Sequence, residues 1–181
     1  MTAERTPPTV VGFVMFPGIA QLDLTGPAQV LAKSPGFEVH DVASTLEPVP
    51  TDSGFSILPT KSFDDCPRLS VICVPGGFGQ IDLMDDEPML EFVRRHAATA
   101  EWITSVCSGS LVLGAAGPID GYRATSHSVC VDQLALLGPM PTFERSWSTA
   151  TGSPGPARLE STSRWFPSPR SVLVTSPNRF S

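Results

Sequence analysis

The segment EWITSVCSGSLVLGAAG, residues 101–117, indicates the architecture of the whole chain. Its first part, 102–106, is apolar and rich in β-branched residues, which is typical of a buried parallel strand. Cys107 and three small residues follow, and the next apolar run ends at Gly117, which predicts a short helix. A strand that turns into a helix through small residues lifts the residue at the turn out of the sheet.

A cysteine at such a turn is a candidate nucleophile. The turn directs the Cys107 side chain towards the positive end of the following helix, which favours the nucleophilic thiolate. Cys107 can equally be a buried structural cysteine, because free cysteine is among the most buried residue types. The local sequence leaves both interpretations open.

The composition narrows the class of protein. A chain of 181 residues predicts one domain with a sizeable core, and a formal net charge of -6 argues against nucleic acid or an anionic membrane surface as a partner. We find no signal peptide and no apolar run long enough to span a bilayer. The four cysteines show no metal-ligand spacing with the three histidines, so we expect a cytoplasmic protein with reduced thiols and no metal site.

The rest of the chain alternates strand and helix patterns. Strands are predicted at 10–16, 37–43 and 69–74, with a short β excursion near residue 56, and helices after Pro17-Gly18, at 87–99 and at 129–137. This alternation predicts an open α/β sheet with right-handed crossovers. Ligands bind beyond the carboxyl ends of such strands, so the segments 18–23 and 75–77 should converge with Cys107 on one crevice.

The tail, 146–181, does not fit this pattern. It holds nine serines, five prolines, four arginines and one glutamate, so that 1–145 carries -9 and the tail +3. No helical or strand period is visible, which predicts a disordered extension. Encoded with permissible codons and read two bases later, the tail gives a glycine turn and an amphipathic helix. We therefore expect a frameshift near Arg145, so that the domain at 1–145 has a missing or altered C-terminal part.

Four motifs together carry a resemblance to a known family: FPGIAQLDLTGP at 16–27, DCPRLSVICVPGGFG at 65–79, TSVCSGSLVLGAAG at 104–117 and GYRATSH at 121–127. They resemble the DJ-1/PfpI superfamily, in particular its isocyanide (isonitrile) hydratase branch. The frame-shifted tail is similar to that family's next turn and helix. The resemblance implies a flavodoxin-like, class I glutamine amidotransferase-like α/β sandwich and a homodimer. It also implies a small-molecule substrate and no metal or organic cofactor.

The resemblance also implies the roles of individual residues. Cys107 matches the nucleophile, and Asp23 matches an acidic residue held close to it. Ser108 lies where the family usually has threonine, which keeps the hydroxyl. Gly76, Gly77 and the backbone N–H of Ser108 are expected to bind the substrate and stabilise negative charge, and His127 to line the pocket. The chain departs from the family pattern at Ser128 and after Arg145.

The implied reaction is the hydration of an isocyanide to an N-substituted formamide. Cys107 would add to the terminal carbon, Asp23 would deliver a proton, and water would cleave the thioimidate. Donating a proton requires that burial and the thiolate raise the pKa of Asp23. Taken alone, Asp23 is more simply explained as a carboxylate at the start of a helix, where it stabilises the helix dipole.

The remaining candidate residues are weaker. Cys66, Cys73 and Cys130 are predicted to be ordinary core or surface thiols. A structural role for His127 competes with pocket lining, His40 is predicted in a strand, and His96 on a charged helix face. The segment 75–77 lacks the lysine and the glycine spacing of a phosphate-binding loop.

Three other functions remain open. The chain could be a glyoxalase, deglycase or amidase of the wider superfamily, although those enzymes usually have histidine directly after the cysteine or complete a triad with one. It could be a ligand-sensing domain like those fused to helix-turn-helix regulators, for which the tail offers no basic DNA-binding segment. It could also be an inactive product of a frameshifted hydratase gene.

Overall fold

A computed structural model describes residues 7–142 and the backbone of 172–175. The main sheet has six strands in the order β10-β7-β6-β1-β2-β5, all parallel except β10, which is antiparallel to β7. These strands are Thr9–Val14 (β1), Phe37–Ala43 (β2), Lys61–Ser62 (β5), Val71–Val74 (β6), Trp102–Val106 (β7) and Val172–Thr175 (β10). Two short pairs are Val49–Pro50 (β3) with Ser56–Ile57 (β4), and Arg123–Ala124 (β8) with Met140–Pro141 (β9).

Five α-helices connect these strands within the described residues. They are Gln21–Ala32 (α1), Gln80–Leu83 (α2), Glu87–Ala97 (α3), Ser110–Ala116 (α4) and Val131–Ala135 (α5). The carboxylate of Asp86 begins α3 by accepting a hydrogen bond from the N–H of Met89 at 3.1 Å. Gly117 ends α4 with a φ of 95°, a conformation that glycine adopts at low cost. None of the helices in the described part of the chain is long and apolar enough to cross a membrane.

The core explains why the near-continuous apolar runs become central strands. Val11, Phe13 and Val14 of β1 and Ile72 of β6 are fully buried, because these strands are flanked on both edges and covered by helices. The helix α3 is amphipathic, and its buried face consists of Met89, Leu90, Phe92, Val93, His96 and Ala97. The parallel α/β fold expected from the sequence is confirmed.

Several details differ from the sequence-based expectations. The structure divides the predicted helix at 129–137 into a 3₁₀ turn, Ser128–Cys130, and α5. His96 is wrongly placed by the sequence analysis: it is 6% exposed and its ring lies 4.4 Å from that of Phe92, because the apolar face of α3 is wider than its charges suggest.

One strand, β10, lies in the tail where no strand was predicted. The sequence of β10 is Val-Leu-Val-Thr, rich in β-branched residues, and it pairs with the edge of β7. The predicted disorder and frameshift otherwise concern residues outside those that the structure describes.

The sheet order places three loops next to one another. From β1 the chain passes to β2 on one side and later to β6 on the other, so the strand order reverses between β1 and β6. Crevices at such reversals, beyond the carboxyl ends of the strands, are where α/β proteins bind ligands. The loops that follow β1, β6 and β7 meet there, as the sequence analysis predicted.

Candidate active site

The turn after β7 holds Cys107 in a strained backbone conformation. Cys107 has a φ of 56°, and within the described residues it is the one non-glycine with a positive φ. Such a conformation costs a residue with a side chain on the order of 1–3 kcal/mol and is concentrated at functional sites. The strand-to-helix turn predicted from the sequence is therefore present, with Cys107 at its apex.

Gly109 allows this turn to lie against the end of β6. A Cβ at position 109 would lie 2.0 Å from the carbonyl oxygen of Val74 and 2.6 Å from that of Pro75, so any side chain would force the turn away. Gly109 was not among the residues predicted to form the site. The run of small residues in Cys-Ser-Gly-Ser was the signal for it, since close approach of two backbone segments requires glycine.

Two hydrogen bonds fix the carbonyl group of Cys107. The backbone N–H of His127 donates to this oxygen at 3.0 Å, and the hydroxyl of Ser126 donates to it at 3.4 Å. The segment after β8 therefore supports the apex of the turn, and Cys107 itself stays partly exposed. Ser126 is buried and was not among the residues predicted to form the site.

Asp23 approaches the same place from α1. It lies in the first turn of the helix, as the explanation by the helix dipole expects, and it is also buried, with only 3% of its surface exposed. The N–H of Ala20, just before the helix, donates to the carbonyl oxygen of Gly76 at 2.8 Å. This bond ties the start of α1 to the loop after β6.

Gly76 is where Cys107, Asp23 and Ser108 come together. A Cβ added to Gly76 would lie 2.7 Å from the Cβ of Cys107, 2.9 Å from Oδ2 of Asp23 and 3.0 Å from the backbone nitrogen of Ser108. One point in space is thus within 3.0 Å of a thiol-bearing carbon, a carboxylate oxygen and a backbone amide. The structure brings these predicted site residues together, and the missing side chain of Gly76 leaves the room between them.

Gly77 and Ser108 hold the loop in place. The N–H of Gly77 donates to Oγ of Ser108 at 3.4 Å, and Ser108 is 6% exposed. Gly77 has a φ of 136°, and a Cβ there would lie 2.4 Å from the carbonyl oxygen of Gly18. The Gly77 N–H therefore contacts the Ser108 hydroxyl, and a role of Gly77 in stabilising negative charge stays a prediction.

The imidazole of His127 caps a turn. Its Nδ1 accepts a hydrogen bond from the N–H of Val129 at 3.5 Å, at the start of the 3₁₀ turn. Among the described residues the link from His127 to Cys107 runs through the backbone. His40 contacts Glu38 on β2 at 3.0 Å, away from the three loops.

The other cysteines are in environments that suppress the thiolate. The pKa of Cys73 is raised to about 12, mainly by burial, while the hydroxyl of Thr104 lowers it and Asp23 adds a smaller increase. Burial raises the pKa of Cys66 to about 11, although Arg95 and Lys61 act in the opposite direction. Burial also raises the pKa of Cys130. These effects agree with the predicted roles as ordinary thiols.

Residues 7–142 contain no group of three or more His, Cys, Asp or Glu side chains that could hold a metal ion. The chemistry available at the crevice is that of a thiol, a buried carboxyl group and backbone amides. This set can form and cleave a covalent bond to an electrophilic carbon with proton transfer at the same place.

Known proteins resemble the chain over the same region. The sequence model of the DJ-1/PfpI family matches residues 9–145. The isonitrile hydratase of Pseudomonas putida is 53% identical over 135 residues, which are 75% of this chain and 59% of that enzyme. The chain thus spans about three fifths of the length of this relative.

Two further proteins resemble the chain, one of them through a solved structure and the other through a more distant sequence. A ThiJ/PfpI family protein from Pseudomonas syringae has a solved structure with 41% identity and a TM-score of 0.76, covering 79% of this chain and 60% of that one. The HTH-type transcriptional regulator GbdR of Pseudomonas aeruginosa is 24% identical over 162 residues, which are 82% of this chain and 44% of the regulator. The family and branch expected from the four motifs are confirmed.

Proposed function

We propose that this chain, which belongs to the DJ-1/PfpI family, hydrates an isocyanide to an N-substituted formamide with Cys107 as nucleophile and Asp23 as proton donor. The observation that carries the proposal is the point beside Gly76 that lies within 3.0 Å of Cys107 Cβ, Asp23 Oδ2 and the Ser108 nitrogen. The 53% identity to an isonitrile hydratase supports the same reaction.

In the first step two bonds form at one carbon. The terminal carbon of R–N≡C accepts the sulfur of Cys107, and it also accepts a proton from the carboxyl group of Asp23. The proton comes originally from the Cys107 thiol, so the step adds S–H across the isocyanide carbon and gives the thioimidate R–N=CH–S–Cys107. The sulfur of Cys107 and the acidic proton of Asp23 must reach the same carbon atom, which the shared point beside Gly76 allows.

In the second step water replaces sulfur. Water adds to the thioimidate carbon, the C–S bond breaks, and the products are R–NH–CHO and the free thiol. With the reacting carbon at the point beside Gly76, the Asp23 carboxylate would accept one proton of the water and pass it to the nitrogen, while the other proton of the water returns to the departing sulfur. The backbone N–H of Ser108 lies at the same point and can donate to the atom that carries negative charge in each step.

Burial explains why Asp23 rather than water would move these protons. The carboxyl group is 3% exposed and its helix is tied to the Gly76 loop, so its position relative to Cys107 is fixed. A proton donor held in place contributes on the order of 10²–10⁴ in rate. The homodimer and the cytoplasmic location expected from the sequence are part of this proposal.

The residue after the nucleophile separates the proposal from other enzymes of the superfamily. The residue directly after Cys107 is Ser108 and not a histidine, and this serine is buried with its hydroxyl in contact with Gly77. The relative GbdR is named as a transcriptional regulator, and a ligand-sensing domain would use the same crevice without turnover. Formation of product distinguishes an enzyme from a sensor.

The test is to incubate the full chain with an alkyl isocyanide and follow the formyl proton of the product by NMR. The proposal predicts formamide in many-fold excess over the enzyme. A binding signal without product would support a sensor, and turnover of methylglyoxal without turnover of isocyanides would support a glyoxalase. Either of these results would contradict the proposed function.

A further inference from the structure

Three large apolar side chains next to the site residues are exposed. Leu22 precedes Asp23 and is 60% exposed, Phe78 follows Gly77 and is 86% exposed, and Ile81 is 60% exposed. Phe78 has the highest exposed fraction among the large hydrophobic residues of the described chain. We name Leu22, Phe78 and Ile81 the apolar rim. Such exposure beside a site is a common mark of a binding surface.

Backbone contacts place the loop that carries Phe78 and Ile81 against the segment that leads to Leu22. The N–H of Ile81 donates to the carbonyl oxygen of Phe78 at 3.3 Å, so these two residues are one turn apart and neighbours on the same surface. A Cβ on Gly79 would overlap the carbonyl oxygen of Pro17, so the loop that carries Phe78 lies directly on the segment before α1. That segment leads within one turn to Leu22.

The shape of an isocyanide determines which part of it meets this edge. R–N≡C is linear, so its organic group lies opposite to the reacting carbon. Asp23 and Ser108 are 3% and 6% exposed and close the inner side of the site, whereas Cys107 is partly exposed. With the terminal carbon beside Gly76, the organic group must therefore project towards the solvent side.

We propose that the apolar rim binds the organic group of the substrate and makes this chain select isocyanides with an alkyl or aryl group of about the size of pentyl or benzyl over methyl isocyanide. This inference rests on the proposed function. The rim residues carry no charge, so they offer an alkyl or aryl group burial without requiring a polar partner. Removing a ring-sized contact from such a surface lowers selectivity by about tenfold.

The experiment measures kcat/KM of the full chain for n-pentyl and methyl isocyanide. Phe78→Ser should lower the ratio of the two values about tenfold, and Phe78→Leu should restore most of it. The matched control is Leu136→Ser, because Leu136 is 85% exposed and lies at the end of α5. This control should leave the ratio unchanged. An unchanged ratio in Phe78→Ser would overturn the inference, whether both values stay as in the wild type or both fall equally.

A second measurement separates the apolar rim from the proposed reaction. The rates at which iodoacetamide and N-benzyl iodoacetamide alkylate Cys107 are compared in the wild-type protein and in Phe78→Ser. A preference for the benzyl reagent that Phe78→Ser removes supports the rim even if no isocyanide is converted, in which case the proposed function alone fails. If Phe78→Ser abolishes a dimer seen in sedimentation and leaves both preferences intact, a second copy covers the rim and the inference is wrong.

Discussion

Gly76→Ala tests the geometry of the site with a single methyl group. Alanine fits the backbone at this position, because Gly76 is not among the glycines with positive φ. Its Cβ would lie 2.7 Å from Cys107 Cβ and 2.9 Å from Asp23 Oδ2. Carbon atoms in contact prefer about 3.5–4.0 Å, so Cys107 must move away from position 76 by roughly 1 Å, out of its place beside Asp23.

The expected effect on activity is larger than the effect on stability. A displacement of about 1 Å at a reacting centre lowers the rate about 100-fold, while an extra methyl group in a packed region costs about 1–3 kcal/mol. A domain stabilised by about 5–15 kcal/mol remains folded after such a loss. We therefore expect Gly76→Ala to melt cooperatively, and to lose about 100-fold in kcat/KM for an isocyanide.

Gly26→Ala is the matched control. Gly26 lies in the same helix as Asp23, and apart from its own helix backbone and chain neighbours the nearest atom to an added Cβ is Cδ1 of Leu22 at 3.9 Å, an ordinary contact distance. Alanine in a helix interior is up to about 1 kcal/mol more favourable than glycine, but Gly26 precedes Pro27, whose ring disfavours a helical residue with a Cβ before it. These two effects oppose each other, so we expect a free energy of unfolding within about 1 kcal/mol of the wild type, with full activity. The reasoning is refuted if Gly76→Ala keeps wild-type activity, or if both variants lose activity equally.

Three further predictions concern the site. At pH 8 a thiol-alkylating reagent should label Cys107 first, because the pKa of Cys66 of about 11 leaves only about one in a thousand Cys66 side chains ionised. Peptide mapping that finds Cys66 or Cys73 labelled first would contradict this. In the same experiment, labelling of Cys66 should increase as the pH approaches 11, since the ionised fraction of its thiol rises about tenfold per pH unit up to its pKa. Asp23→Asn should lower isocyanide turnover by about 10² or more with little change in Tm, and full turnover by this variant would remove Asp23 from the mechanism. The free energy of unfolding of Cys107→Gly should be about 1 kcal/mol higher than that of Cys107→Ala, because glycine adopts the positive φ of residue 107 without strain. Equal free energies of unfolding in urea titrations would contradict this explanation.

The sequence was sufficient to predict the central strands and the convergence of their loops. Apolar runs such as 71–74 and 102–106 have few alternatives to a buried parallel strand, and parallel strands bring their following loops to one edge. Cys107 was identifiable because the turn needs small residues around it, and Asp23 because of the family motif. The burial of Asp23, by contrast, depends on contacts with residues far away in the sequence, such as the loop at Gly76.

Features that depend on tertiary contacts were not predictable. The role of Gly109 depends on how closely two backbone segments approach, and the burial of His96 depends on its packing against Phe92. The exposure of Phe78 is visible only once the loop is placed against the segment before α1. The frameshift proposed near Arg145 is a statement about the gene, so the nucleotide sequence around that codon tests it.

The central claim, that Cys107 carries the isocyanide carbon, is tested most directly by formamide production in Cys107→Ala. Cys130→Ala is the matched control, because Cys130 is also partly buried and the carbonyl oxygen of His127 accepts a hydrogen bond from its backbone N–H. We predict that NMR detects formamide from the wild type and from Cys130→Ala, and none above the uncatalysed background from Cys107→Ala. Formamide production by a folded Cys107→Ala variant at the wild-type rate would contradict the proposed mechanism.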